Sequence, residues 1–296
     1  MPLSVVTVLA LLLCAFPALA QDWDSFEFSA VELADGLWHV RGAGGNVVMC
    51  ADEDGVLLVD ADYEQLGKKL VAFVKAETGG GVDYIVSTHW HFDHTGGNEA
   101  LANSGAVLIA HQNVRRRMAV ETRIELLDHT QPAAPAAALP TVTFSDSLVM
   151  HLNDEQIVFF HTPNAHTDGD VIVVFRNADV IHTGDIMFNC GYPFIDTSCG
   201  GDIDGMITAV EMMIGLCSDE TTVVPGHGPV CGRADLETYL GILTGYRDAV
   251  APLKAEGLSL DEVKAAAATA DIDAVYGAVM FPPNLFTAMV YATVGD

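Results

Sequence analysis

The sequence predicts an α/β fold on three observations. Short β-branched runs dominate the interior, they fall into two similar halves that each pass into helical patches, and the pattern from Ala234 onward is helical. With 296 residues, 50% hydrophobic and 18% charged, the chain can bury a large core in one domain or two tightly joined layers, and global disorder is excluded.

In the first half, β-branched runs at 38–41, 46–50 and 55–59 read as strands of an antiparallel meander, with turns at 42–45 and 52–55. The span 63–78 follows, with Leu66, Leu70, Val71, Phe73 and Val74 at helical spacing. A short apolar strand at 82–87 then runs directly into a histidine cluster. The Pro- and Ala-rich stretch 131–138 reads as a surface connection to the second half. There the strands are expected at 147–151, 156–161, 171–175, 180–182 and 221–224, with a helix at 203–215 before the last of them. Three helices at 236–250, 260–269 and 285–294 close the chain. Ser259 N-caps the second, with Glu262 three residues on.

The apolar run 3–20 ends in Ala18-Leu19-Ala20 before Gln21-Asp22-Trp23-Asp24, the pattern of a signal peptide with a small-residue cleavage site. Residues 1–20 are therefore expected to be a leader, and the mature protein periplasmic or secreted with no membrane attachment. The run lacks Lys and Arg, which leaves an uncleaved anchor as the other reading. Leu13 argues against a lipid-attachment role for Cys14. Domain bounds follow as leader 1–20, main domain 21–235, and a helical extension 236–296 packed on the same domain.

Forty acidic residues against 13 basic ones give a net charge of -27, which repels phosphate backbones and anionic membranes and excludes nucleic acid as a partner. The acidity serves solubility or favours neutral and cationic substrates. After the leader five cysteines remain, an odd number in an oxidising compartment. The short separations make Cys190 with Cys199 and Cys217 with Cys231 the cheapest pairings, with Cys50 a buried thiol.

The chemistry concentrates in Thr88-His89-Trp90-His91-Phe92-Asp93-His94-Thr95-Gly96-Gly97-Asn98. Three histidines and one carboxylate leaving a strand end present neutral imidazoles and an anionic oxygen from one loop, a donor set suited to zinc and similar divalent ions. On an extended backbone His89 and His91 point to the same side, leaving Asp93 and His94 to turn toward a second metal. Three later strand ends each add a donor beside Gly or Pro: His166 in 164–170, Asp185 in 182–185 and His227 in 224–229. His39, His111, His129, His151, His161 and His182 have no motif role and read as structural or solvent-facing, with His161 and His182 the two that lie close enough to hydrogen-bond a ligand side chain. Asp168 and Asp170 could do the same or could simply form the turn.

These motifs, in this order, resemble the metallo-β-lactamase superfamily of αββα hydrolases over nearly all of the chain after residue 20. The resemblance implies a four-layer αββα sandwich and two zinc ions per chain. His89, His91 and His166 would hold one metal, Asp93, His94 and His227 the other, and Asp185 would bridge them. Water between two such ions has its pKa lowered to about 7, which favours hydrolysis of a small-molecule substrate. Asp93, a ligand with a second carboxylate oxygen, is the candidate catalytic residue that orients that water and takes its proton.

Zinc β-lactamases of the superfamily often carry Cys where Asp185 stands and Lys three residues later, where this chain has Phe188. The set with Asp185 is more similar to hydrolases of thioesters, lactones and related esters. Glyoxalase II binds glutathione through basic residues near its C-terminus, and 248–296 offers only Lys254 and Lys264. RNA-processing relatives need a basic surface, and diiron relatives replace the second histidine with Glu, whereas His91 is present. The expected function is hydrolysis of a small ester, thioester or lactone. A β-lactamase and a non-catalytic metal-binding protein are the alternatives. The loop 191–205 is expected to border the cleft, with Phe194 and Tyr192 as lining residues, unless Tyr192 is a packed aromatic.

Overall fold

A computed structural model describes residues 22–277 and 279–295, so the expected leader and Cys14 lie outside the described residues. The first half builds β1 (Ser29–Ala34), β2 (Leu37–Arg41), β3 (Val47–Asp52), β4 (Gly55–Val59), α1 (Gly67–Thr78) and β5 (Tyr84–Ser87). It continues through the short α2 (Phe92–Thr95), α3 (Asn98–Asn103), β6 (Val107–His111), α4 (Gln112–Met118), the hairpin β7 (Thr122–Ile124) and β8 (His129–Gln131), and β9 (Val142–Phe144). The second half comprises β10 (Ser147–Leu152), β11 (Glu155–His161), β12 (Val171–Phe175), β13 (Val180–His182), α5 (Ile203–Leu216), β14 (Thr222–Val224) and β15 (Cys231–Gly232). It ends with α6 (Arg233–Ala255), α7 (Leu260–Ala266), α8 (Ala270–Tyr276) and α9 (Pro283–Thr293).

Two mixed sheets result, ordered β1-β2-β3-β4-β5-β6-β9 and β10-β11-β12-β13-β14-β15. The antiparallel meander is present as β2-β3-β4, extended by β1 at the edge. In β3, Val48 and Cys50 face the second sheet while Val47, Met49 and Ala51 face α1, so a continuous apolar run is what a strand buried on both faces requires. Leu57, Val59 and Val86 meet Phe159, Val173 and Phe175 between the sheets. Leu70, Val74 and Leu101 cover the outer face of the first sheet. Val158, Ile172 and Val174 on the second are covered by Ile203, Val210, Leu243, Phe286 and Val290. The architecture is thus the four-layer αββα sandwich, with the C-terminal helices in the same core as the second sheet.

The expected helix 260–269 stops at Ala266, because Ala267 turns left-handed with φ of 48° and ends α7; a separate helix, α8, follows from Ala270. The cysteine pairings are also corrected: among the described residues no disulfide is formed. Cys190 Sγ lies 3.6 Å from Met280 Sδ and Cys231 Sγ lies 4.0 Å from Met187 Sδ, while Cys199 is buried near Arg117 and Asp196. Cys50 is buried as expected. No helix among the described residues is long and apolar enough to cross a membrane.

His111 stacks on His161 with ring centroids 3.6 Å apart, and burial together with that neighbour pushes its pKa down to about 4. The unfolded chain takes up this proton near 6.5, and the folded chain refuses it until about 4. Stability contributed by the neutral ring is therefore lost as pH falls through that window. The His111→Gln variant should lose less of its Tm than the parent between pH 6.5 and 4, and parallel Tm profiles would contradict this assignment.

Candidate metal centre

The strands β5, β11, β13 and β14 run toward one edge of the sandwich, so the loops that leave them converge there. Asn46 ties the two halves together at that edge. Its amide donates to the carbonyls of Pro225 and Gly228 at 2.8 and 2.9 Å, and its backbone N–H donates to Gly226 at 2.8 Å. The structure brings all seven expected residues together in two groups of donor atoms, each within 4.8 Å of one another: His89, His91, His166 and Asp185, and Asp93, His94 and His227. Asp93 and His94 reach their group from the short helical turn α2 rather than from extended chain. Asp185 stands between the groups. Its Oδ2 lies 3.6 Å from the Nε2 atoms of His89 and His166 and 3.5 Å from Nε2 of His227, while its Oδ1 lies 3.1 Å from Nε2 of His94.

The hydrogen bonds around the imidazoles settle which nitrogens carry protons. His166 Nδ1 donates to the Phe194 carbonyl at 2.7 Å, and His91 Nε2 donates to Asp196 at 3.1 Å. Despite its burial, Asp196 is held down at about 2 by the His91 ring, which keeps it a carboxylate. In their neutral forms both rings therefore turn lone pairs inward, and these atoms, His166 Nε2 and His91 Nδ1, face each other at 2.9 Å. Two opposed lone pairs in a buried site suit a cation placed between or beside them.

The second group repeats the arrangement. His94 Nδ1 donates to Asp60 Oδ2 at 2.7 Å, which aims its Nε2 at Nε2 of His227, 3.3 Å away. His89 Nδ1 donates to Thr88 Oγ1 at 3.0 Å, whose own proton goes to Asp60 Oδ2 at 2.7 Å. The buried Nε2 of His89 is left without a hydrogen-bond partner among the described residues. Buried nitrogens with lone pairs gathered beside carboxylates fit divalent cations with N/O ligand preference.

Two residues that matter here were not singled out from sequence. Asp60 directs His94 itself and His89 through Thr88, one imidazole from each group, and Asp196 directs His91. Asp60 sits at the end of the apolar strand β4 with φ of 67°, a left-handed conformation that Asp tolerates better than most residues. An apolar strand stopping at Asp60-Ala61-Asp62 was the available signal. The other nearby polar residues hold the structure around the centre. His182 Nε2 donates to the Asn46 carbonyl and His161 Nδ1 to the Asp170 carbonyl, so neither bonds a side chain of the centre. Asp168 pairs with Arg117 at 2.8 Å, and Asp170 accepts from the Thr167 N–H at 2.8 Å, which shapes the turn after His166.

A narrow cleft opens over the centre, with His91, Asp93, His166, Asp185 and His227 at its base. Its remaining walls are Phe92, Ile124, Leu127, Phe188, Phe194 and Phe281, with no Lys or Arg among them. Phe188 stacks on His227 with centroids 4.9 Å apart. Phe194 lines the cleft as expected, but Tyr192 does not. It is buried against Phe286 with its hydroxyl donating to Asp273 at 2.6 Å, so the packed reading is the right one.

A centre of histidines and carboxylates at the edge of an αββα sandwich defines a class of metalloprotein, and comparison with known proteins places the chain within it. Residues 40–227 match the profile of the metallo-beta-lactamase superfamily, and the chain belongs to that superfamily. Among curated proteins it is 28% identical over 148 residues to a hydroxyacylglutathione hydrolase of Pelagibacter ubique, covering 49% of this chain and 51% of that protein. It is 22% identical over 209 residues to a metallo-beta-lactamase type 2 of a Bacillus species, covering 70% of this chain and 76% of that protein. The chain spans about half the length of the first of these curated relatives. Among solved structures, a metallo-beta-lactamase from Pontibacter korlensis superposes with a TM-score of 0.60 at 19% identity, covering 74% of this chain and 99% of that one.

Proposed function

We propose that this protein is a dinuclear zinc hydrolase acting on an uncharged small ester, thioester or lactone. The reading is carried by one observation: two groups of donors, with Asp185 standing between them, meet at the base of a cleft whose walls are apolar and hold no cationic side chain. His89, His91 and His166 would hold one ion and Asp93, His94 and His227 the other, with Asp185 shared. Two bound ions would supply Lewis-acid polarisation of a carbonyl and a water acidic enough to react at neutral pH.

The protein's own groups do the rest. Asp93, whose Oδ2 lies 3.3 Å from His227 Nε2, is placed to orient the attacking water and accept its proton. Phe92, Phe188, Phe194 and Phe281 exclude bulk water and receive the apolar part of the substrate. A β-lactam and a glutathione thioester both carry carboxylates, and these walls offer no Lys or Arg to receive one. Phe188, at the position where β-lactamases of the superfamily often have Lys, makes the difference concrete.

The purified protein assayed with an aryl ester, a lactone, a neutral thioester, a glutathione thioester and a cephalosporin should turn over one or more of the first three. Turnover confined to the cephalosporin or to the glutathione thioester would overturn the proposal. Asp93→Ala should lower kcat by about 100- to 10,000-fold, the range for loss of a general acid–base group. Unchanged turnover with metal content retained would remove Asp93 from its assigned role.

A further inference from the structure

Beside the cleft, across Phe92, lies a larger groove of about 330 Å³ that the hydrolytic site does not use. Phe92 lines both spaces. From it a row of rings runs outward, with centroids of Phe92 and Tyr63 5.9 Å apart and those of Tyr63 and Trp23 5.1 Å apart. Met118 and the prolines Pro132 and Pro135 add apolar wall, and the charged side chains present, Glu64 and Glu99, are both acidic.

The strap that carries Trp23 is fastened in place. Lys69 on α1 donates its ammonium protons to the carbonyls of Trp23, Asp24 and Phe26 at 2.8, 2.6 and 3.1 Å. Three charge-assisted bonds from one side chain fix a segment that has no strand partner, so the indole forms a held wall of the groove.

Resting on the hydrolase reading, we propose that this groove binds the non-reacting part of the substrate, an elongated uncharged alkyl or aryl group that passes Phe92 while its ester, thioester or lactone carbonyl lies over the metal centre. The aromatic row supplies apolar and stacking contact along the chain. Glu64 and Glu99 make the same groove repel a carboxylate tail, which matches the uncharged walls of the cleft. The groove thereby selects substrates by tail length and charge.

The test has a binding arm and a turnover arm. Octanamide, butanamide and octanoate are titrated into the purified metal-loaded protein by calorimetry, with the parent compared with Trp23→Ala, Trp23→Phe and Tyr63→Ala. Octanamide should bind about tenfold or more tighter than butanamide, as expected for four further buried methylenes, and should also bind tighter than octanoate. Trp23→Ala and Tyr63→Ala should shrink the length preference to below about threefold, and Trp23→Phe, which keeps a ring, should retain it. Equal affinity for the two amides, octanoate binding as tightly as octanamide, or a preference untouched in Trp23→Ala would overturn the proposal. In the turnover arm, kcat/KM for an octanoyl over an acetyl aryl ester should follow the same pattern. Octanamide binding with no ester turned over would refute the hydrolase reading while the groove stands as a ligand site. Turnover without a length preference that Trp23→Ala removes would refute the groove while the hydrolase reading stands.

Discussion

Replacing Asp185 with alanine should release at least one metal equivalent and lower kcat/KM by about 1000-fold, since a metal centre contributes several kcal/mol of transition-state stabilisation. Asp185 stands within 3.6 Å of inward nitrogens from both groups. Its carboxyl is held well below the usual range by His94, His227 and His89 against the opposing effect of burial, which keeps it anionic and available to cations. Asp185→Asn keeps the shape but removes the charge and should behave nearly as badly. Metal analysis of the purified variants alongside kinetics provides the check, and full metal content with parental turnover in either variant would show that Asp185 is not shared between two ions.

Gly226→Ala should damage the fold and the centre together. A Cβ at this position would lie 2.1 Å from Asp185 Oδ1 and 2.7 Å from the carbonyl carbon and oxygen of Gly184. The carboxylate could swing away, but the Gly184 backbone cannot, because the Gly226 N–H bonds that same carbonyl at 2.8 Å and that of Met187 at 3.1 Å. The collision should cost about 1–3 kcal/mol as overpacking, read as a drop of several degrees in Tm, and should also displace Asp185. Thermal unfolding with and without chelator separates the two effects. The variant should have a lower Tm than the parent in both conditions and a smaller stabilisation by metal. Parental values for both would show that the loop 225–228 yields more easily than its hydrogen bonds indicate.

The sequence made the metal centre legible because metal chemistry restricts residue type and spacing so strongly. His89, His91, Asp93 and His94 fall within six positions after a strand, and the later donors each stand at a strand end beside Gly or Pro. The meander β2-β3-β4 and strands β10 to β14 were readable for a related reason: two buried sheet faces impose continuous β-branched runs such as Val171–Phe175. The stretch 99–130 was not resolved into elements, although Val107–His111 carries the same β-branched signal. Its short helices α3 and α4 depend on packing more than on pattern.

Asp60 and Asp196 were missed because their role is defined by what they touch across the fold. Asp60 is 34 positions from His94, and Asp196 is 105 from His91. The cysteine pairings failed because sequence separation says nothing of direction, and the partners of Cys190 and Cys231 are methionine sulfurs. His161 and His182 were read as structural, and both rings do reach backbone carbonyls rather than side chains of the centre.

The most direct test of the account is the number of metal ions the protein binds. Metal-stripped protein titrated with zinc in a calorimeter, with the end point checked by elemental analysis after dialysis, should take up two equivalents per chain. Asp185→Ala in the same titration should take up fewer. One equivalent or none in the parent protein, with no hydrolysis restored by added zinc, would contradict the dinuclear centre and with it the proposed function.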